Sequence, residues 1–376
     1  MKKIEGMLAL ALLLAGCAQP AVQNVNENVV TVGRSNSVAP LADIVDHIEL
    51  IPLETGLPFL LGVDPMLTLS DDSFVLTDTR TGRVLAFNRD GSFRCRVGVK
   101  GRGPGEYPMI LSSQVAADGS VTVFSYPDKV LFYGADGEFV REEHREDIGT
   151  QSCLVPEGML VYFGYGSGRP GRAALMGDDG SRTDFLPTSA KIINMTPNTP
   201  VFTFYRDTVY FTDTYNPVVY AYKDGKIREE VTFDFGKTAI GEDFYHYSDP
   251  YEATNSIMQS PIGFSLVRRY LKDDRYQFLE EFCQKGEEVT FHYGFESDGT
   301  WKWFSFGKGV DNPFSGMMQD LYGNSLYFLM NSEVLAGKDH GMGGDLAQLR
   351  ALVSNPEVLD LVTPDDNPVV ARLYLK

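Results

Sequence analysis

Four Asp-Gly pairs set the frame of this chain. Asp90-Gly91, Asp136-Gly137, Asp179-Gly180 and Asp224-Gly225 are spaced 46, 43 and 45 residues apart. Asp-Gly suits a tight hairpin because both residues tolerate positive φ. Each pair falls between the third and fourth of four short strand-like runs. The first set is MLTLS, SFVLTDT, RVLAFN and SFRCRVG, covering Met66 to Gly98, and like sets cover Ser112–His144, Ser152–Pro187 and Val201–Phe235. Four strands recurring about every 45 residues is the period of a propeller blade.

After Phe235 the period breaks. Ile262–Leu271 (IGFSLVRRYL) reads as a short helix or lid, so a helical insertion is expected near 254–275. A fifth unit follows as YQFLEEFCQ, EVTFHYGF and TWKWFSF, and a sixth begins near Phe314. Leu346, Leu349, Leu352 and Val353 recur at spacings of three and four, which predicts a second helical insertion over 345–361. The sixth unit then has three strands, and His47–Leu53 (HIELIPL) is free to supply the fourth. The expected fold is therefore all-β: a six-bladed β-propeller over residues 41–376, its last blade closed by the N-terminal strand so that no long edge stays open. A seventh blade would require residues 240–275 to form a full four-stranded unit.

The first residues read as an address. Lys2 and Lys3 precede an apolar run, Met7–Leu14, then Ala15-Gly16 and Cys17. The run is too short to span a bilayer as a helix, which takes about 20 residues. Leu14-Ala15-Gly16-Cys17 resembles the lipobox of bacterial lipoproteins. That resemblance implies a signal peptide over 1–16, a lipid on Cys17 and a protein tethered outside the cytoplasm, with 17–40 as a flexible tether. Ala18-Gln19-Pro20 lacks the acidic residues of surface-export signals, which favours an outer-membrane anchor facing the periplasm. A net charge of −18 argues against nucleic-acid partners, whose phosphates would repel it. Cys95, Cys153 and Cys283 have no paired spacing, so each is expected as a small apolar residue in a strand.

Ile48–Glu54 (IELIPLE), Arg83–Asn88 (RVLAFN) before Asp90-Gly91, and Gly98–Tyr107 (GVKGRGPGEY) carry a wider likeness. With them the chain resembles the six-bladed β-propeller lipoproteins of Bacteroides and its relatives. Its Gly-Arg-Gly-Pro-Gly-Glu-Tyr segment resembles the linker between blades of NHL/TolB-like propellers. The second and third units lack that linker. The resemblance implies fold and location and leaves activity open.

Candidate ligand-binding residues fall in two groups. In the Gly-rich linker, Arg102 could hold a carboxylate or phosphate, and Glu106 could accept from a sugar hydroxyl beside Tyr107; the same residues also suffice to turn the chain between blades. The second group is aromatic: Phe244, Tyr245, His246, Tyr247 and Tyr251 crowd a segment without strand alternation, and Tyr165 and Arg169 lie in a neighbouring loop. Asp71-Asp72, Asp178-Asp179, Asp273-Asp274 and Asp365-Asp366 read as solvated turns. No metal or cofactor is expected, since the five histidines show no His-x-His or His-Glu-x-x-His spacing. No Gly-x-Ser-x-Gly elbow is present. These features point to a non-catalytic module, anchored to the membrane by its lipid, that binds a protein, peptide or glycan. Two alternatives are a hydrolase or lyase acting in the central funnel and a structural subunit of an outer-membrane uptake complex.

Overall fold

The computed structural model describes residues 28–35, 37–62, 65–192, 199–306, 318–336 and 350–376. Six antiparallel sheets follow one another as the blades of a propeller. Blade 1 runs through Met66–Leu69, Ser73–Asp78, Arg83–Asn88 and Phe93–Arg96; blade 2 through Met109–Val115, Val121–Tyr126, Lys129–Tyr133 and Phe139–His144. Blade 3 comprises Gln151–Val155, Gly158–Tyr162, Gly171–Gly177 and Arg182–Pro187, and blade 4 Phe202–Tyr205, Thr208–Asp213, Asn216–Lys223 and Lys226–Asp234. Blade 5 is Phe264–Lys272, Tyr276–Lys285, Glu288–Ser297 and Thr300–Phe304. Blade 6 takes Met318–Tyr322, Ser325–Met330 and Val369–Leu375 from the end of the chain and Val45–Pro52 from its start. There Val45 pairs with Leu375 and Pro52 with Val369, as the sequence predicts.

Alternation along each strand makes the blades pack face to face. Leu76 and Leu85 of blade 1 turn toward Tyr327 and Val370 of blade 6, while Val75, Val84 and Ala86 turn toward Val123 and Leu131 of blade 2. Polar side chains bracket the first strands around the axis. Gln114 holds the backbone of Leu154 through both amide atoms (2.7 and 3.2 Å). Gln151 does the same between Val201 and Thr199 (2.7 and 2.8 Å), and Gln319 accepts from Leu67 N at 2.8 Å. Thr77 meets Ser113 at 2.6 Å, and Thr203 donates to Tyr270 O at 3.0 Å. Arg269 spans three blades, donating to Pro200 O (2.7 Å) and Gln319 O (2.9 Å) from its own position in blade 5. Every interface of the ring thus carries a directional bond as well as an apolar one.

The Asp-Gly turns use two chemistries. In blades 1–3 glycine takes the positive φ, and the Asp carboxylate accepts from the amide two residues on, as Asp90 does from Ser92 N at 2.9 Å. Asp224-Gly225 puts both residues at positive φ in a two-residue hairpin. Asp298-Gly299, also between a third and a fourth strand, does likewise in blade 5. It went unread because the insertion before it breaks the interval.

Three expectations need correction. The helical insertion lies at α1, Pro250–Met258, while Ile262–Leu271 falls largely on Phe264–Lys272, the first strand of blade 5. The insertion expected over 345–361 is helical, among its described residues, at Arg350 and at Val358–Leu361, with turns between them; residues 345–349 lie outside the described residues. Val353 there bridges Ile48 of the closing strand, and Asn355 grips Leu50 through both backbone atoms. The tether expected over 17–40 is docked from Asn28 on. Val29–Thr31 joins blade 4 as a fifth, parallel strand beside Lys226–Asp234, and Val30 and Val32 pack among Phe233, Trp301 and Trp303. Residues 1–27, and with them Cys17 and the signal segment, lie outside the described residues. Cys95, Cys153 and Cys283 each sit in a strand as free thiols.

Candidate functional site

Antiparallel order puts the loops between second and third strands, and the links from one blade to the next, at the same end of the ring. The Asp-Gly turns close the opposite end. Three segments at the first end converge over blades 3 and 4: the loop 163–170, the link 188–192 that leaves blade 3, and Ser248–Pro250 at the start of α1. Together with Thr150 they line a cavity of about 870 Å³ that is open to solvent. That volume is within the usual range of small-ligand sites, about 300–1,000 Å³.

The cavity stands on a rigid base. Asp213, wholly buried at the end of the second strand of blade 4, accepts from Tyr162 Oη at 2.7 Å and pairs with Arg172 Nε at 2.7 Å. Arg172 in turn lies under the Tyr165 ring, 4.7 Å from its centroid. Tyr165 is 3 % exposed and packs on Tyr215 and Tyr245 with centroids 5.9 and 5.8 Å apart. Burial, with the Asp213 charge nearby, pushes its phenol well above the ordinary range. Tyr245 donates to Tyr215 O at 2.7 Å, and Phe244 packs against Tyr215 at a tilt, centroids 4.8 Å apart, from the same 3₁₀ turn.

Above this base the lining is polar. Arg169 lies 5.8 Å over the Phe163 ring and pairs with Asp147; Arg182 also stacks on Phe163 and pairs with Asp147 at 2.9 Å. Ser167, Thr188, Ser189 and Ser248 contribute hydroxyls, and Lys191 is exposed at the rim. Gly166 and Gly168 take positive φ in this loop, and a Cβ at Gly168 would meet nothing within 4 Å, so the backbone there is open to the cavity.

The structure therefore brings Tyr165, Arg169, Phe244 and Tyr245 into one region. Tyr165, Phe244 and Tyr245 are its support, and only Tyr165 and Arg169 line the cavity itself. Tyr247 is half-buried against the same apolar cluster, whereas His246 and Tyr251 are exposed. Arg102, Glu106 and Tyr107 lie apart, between blades 1 and 2. Tyr107 is fully enclosed, donates to Val97 O at 3.0 Å, and is pushed up to about 12 by burial. Glu106 accepts from Gly103 N at 2.8 Å, and Lys129 donates to Gly103 O at 3.0 Å, so this linker is held by its own turn. Arg102 is exposed. Sequence reading followed aromatic rings and so missed the hydroxyl residues and Lys191. Their one signal was the polar run Thr188-Ser189-Ala190-Lys191 where a blade link was expected.

The "Domain of unknown function (DUF4934)" family matches residues 27–374. The chain belongs to that family. No curated protein matches the sequence. Among solved structures, the DUF4934 chain is similar to the "Putative exported protein (BF0058)" of Bacteroides fragilis NCTC 9343, at 17 % identity and a TM-score of 0.72, covering 93 % of this chain and 99 % of that one. It is also similar to a DUF4221 family member from Bacteroides vulgatus, at 10 % identity and a TM-score of 0.54, covering 88 % and 97 %. At these identities the likeness is one of fold. Among the described residues no helix is long and apolar enough to cross a membrane.

Proposed function

We propose that this DUF4934 protein is a lipid-anchored cell-envelope propeller that acts as a non-catalytic binding module, with its ligand site in the loop cavity over blades 3 and 4. The cavity carries the reading: polar loops are mounted on a buried Tyr162–Asp213–Arg172 base. The lipobox-like Leu14-Ala15-Gly16-Cys17 supports an anchor on Cys17, and the outer membrane, facing the periplasm, is its proposed site. The NHL-like character of the Gly-rich linker belongs to the same proposal.

A screen of immobilised saccharides and peptides against the purified protein tests the cavity. Ser189→Trp, at an exposed lining position, puts an indole in the way of a ligand. Binding lost in that variant supports the site; binding retained moves the ligand elsewhere. Metabolic labelling with a palmitate analogue tests the anchor, and label that survives Cys17→Ala refutes it.

A further inference from the structure

The cavity's charge runs against that of the chain. Acidic side chains outnumber basic ones, 51 to 33, yet among the described lining residues there is no Asp, Glu, Asn or Gln, while Arg169 and Lys191 are basic. Asp147 and Asp184 balance Arg169 and Arg182. Lys191 has no ion-pair partner among the described residues and so carries the surplus. Asp249, between two lining residues, turns its carboxylate to the amides of Tyr251 and Glu252 (2.7 and 3.2 Å) at the start of α1.

The hydroxyls have a matching polarity. Ser167 Oγ accepts from Arg169 N at 3.3 Å, and Thr188 Oγ1 accepts from Ala190 N at 3.2 Å. A hydroxyl that accepts from a backbone amide keeps its own proton to give. The lining therefore offers donors, each of these two hydroxyls keeping one lone pair beside the proton it can give. A neutral sugar is best gripped by carboxylates or carboxamides that accept from its hydroxyls, and among the described residues none lines this cavity. A peptide needs an open apolar pocket for an anchoring side chain, and here Phe163, Tyr165 and Ile192 are only 5, 3 and 1 % exposed.

Resting on the cavity being the ligand site, we propose that it takes an acidic saccharide, whose carboxylate or sulfate lies against Lys191 and Arg169 and accepts from Ser167 and Thr188. The experiment is calorimetric titration of the purified full chain with a hexuronic-acid trisaccharide, a sulfated trisaccharide, the neutral hexose trisaccharide and a Glu-rich peptide. One or both charged saccharides should bind, more weakly as salt is raised, and the neutral one should not; which of them binds identifies the anion. Lys191→Ala should weaken binding roughly tenfold, the worth of one charge-assisted hydrogen bond, and Lys191→Arg should restore it. Equal binding of the neutral sugar, preference for the peptide, no binding of either charged saccharide, or indifference to Lys191→Ala overturns the inference. Ser189→Trp separates the two readings. If it blocks a neutral ligand or the peptide, the cavity stands and its anionic preference falls; if charged saccharides still bind that variant, the cavity itself is refuted.

Discussion

Arg34 is the residue on which the N-terminal segment is hung. Its guanidinium reaches across from outside blade 4 to Glu281 of blade 5, at 2.7 Å, with Thr238 at 2.6 Å and Ser265 at 3.2 Å completing the contact. Glu281 is wholly enclosed, and its second oxygen faces His292 Nδ1 at 3.3 Å. Burial works to raise the Glu281 carboxyl, but His292, Arg34 and Ser265 outweigh it and leave it lowered. Its stabilisation is then complete above the ordinary glutamate value of about 4.3 and is lost as pH falls through the lower folded value. The protection factors of the amides over residues 28–35, measured against intrinsic exchange at the same pH, should accordingly be high at neutral pH and fall under acid, before the blades open. Arg34→Ala strands an enclosed carboxylate and should cost about 2–3 kcal/mol in urea unfolding, less than a fully buried pair because Arg34 is one-third exposed. Arg269 is fully buried, and burial pulls it down to about 10 against the opposing charges of Asp320 and Glu280. Arg269→Met should cost on the order of 3 kcal/mol or more by leaving the carbonyls of Pro200, Phe202 and Gln319 without a donor. None of these partnerships was legible in the sequence, because Arg34 and Glu281 are 247 residues apart and no local pattern joins them.

At the scale of elements, the strand pattern was legible where alternation was clean. Blades 1–4 fall within a few residues of their expected runs because Phe74-Val75-Leu76 and its counterparts alternate between two neighbouring blades. Phe264–Lys272 was misread for a physical reason. A bulge between Val267 and Arg269 shifts its register, so two adjacent arginines both find inward partners and the period of two is lost. The docked N-terminal strand was hidden by its length, three residues of unremarkable Val-Val-Thr. Its fit depends on Gly33, where an added Cβ would come 2.5 Å from Trp303 Cδ1. Gly33→Ala should therefore lift the segment off Trp301 and Trp303, seen as a change in tryptophan fluorescence at unchanged far-UV circular dichroism. The cavity was half legible: its loops stood out by their aromatics, yet those rings proved to be the masonry and the hydroxyls the surface.

The whole molecule behaves as one unit if its ring is closed by bonds at every interface. Ile48, fully enclosed in the closing strand, is a lever on all six blades at once. Ile48→Asp places a carboxylate in the shared core of blades 5 and 6. It should lower the urea midpoint with fluorescence and circular dichroism still moving together; two separated transitions would mean that blades come apart singly. The closing seam also dictates an order of events. The first full-length strand of the ring, Val45–Pro52, has no antiparallel partner until Val369–Leu375 exists, and Arg275 and Tyr276 then clasp the carbonyl of Lys376. A nascent chain can stack its early sheets as they emerge, but it stays an unlatched arc until Val369–Leu375 has been made, so whatever guards the growing polypeptide must guard that waiting strand until its mate arrives.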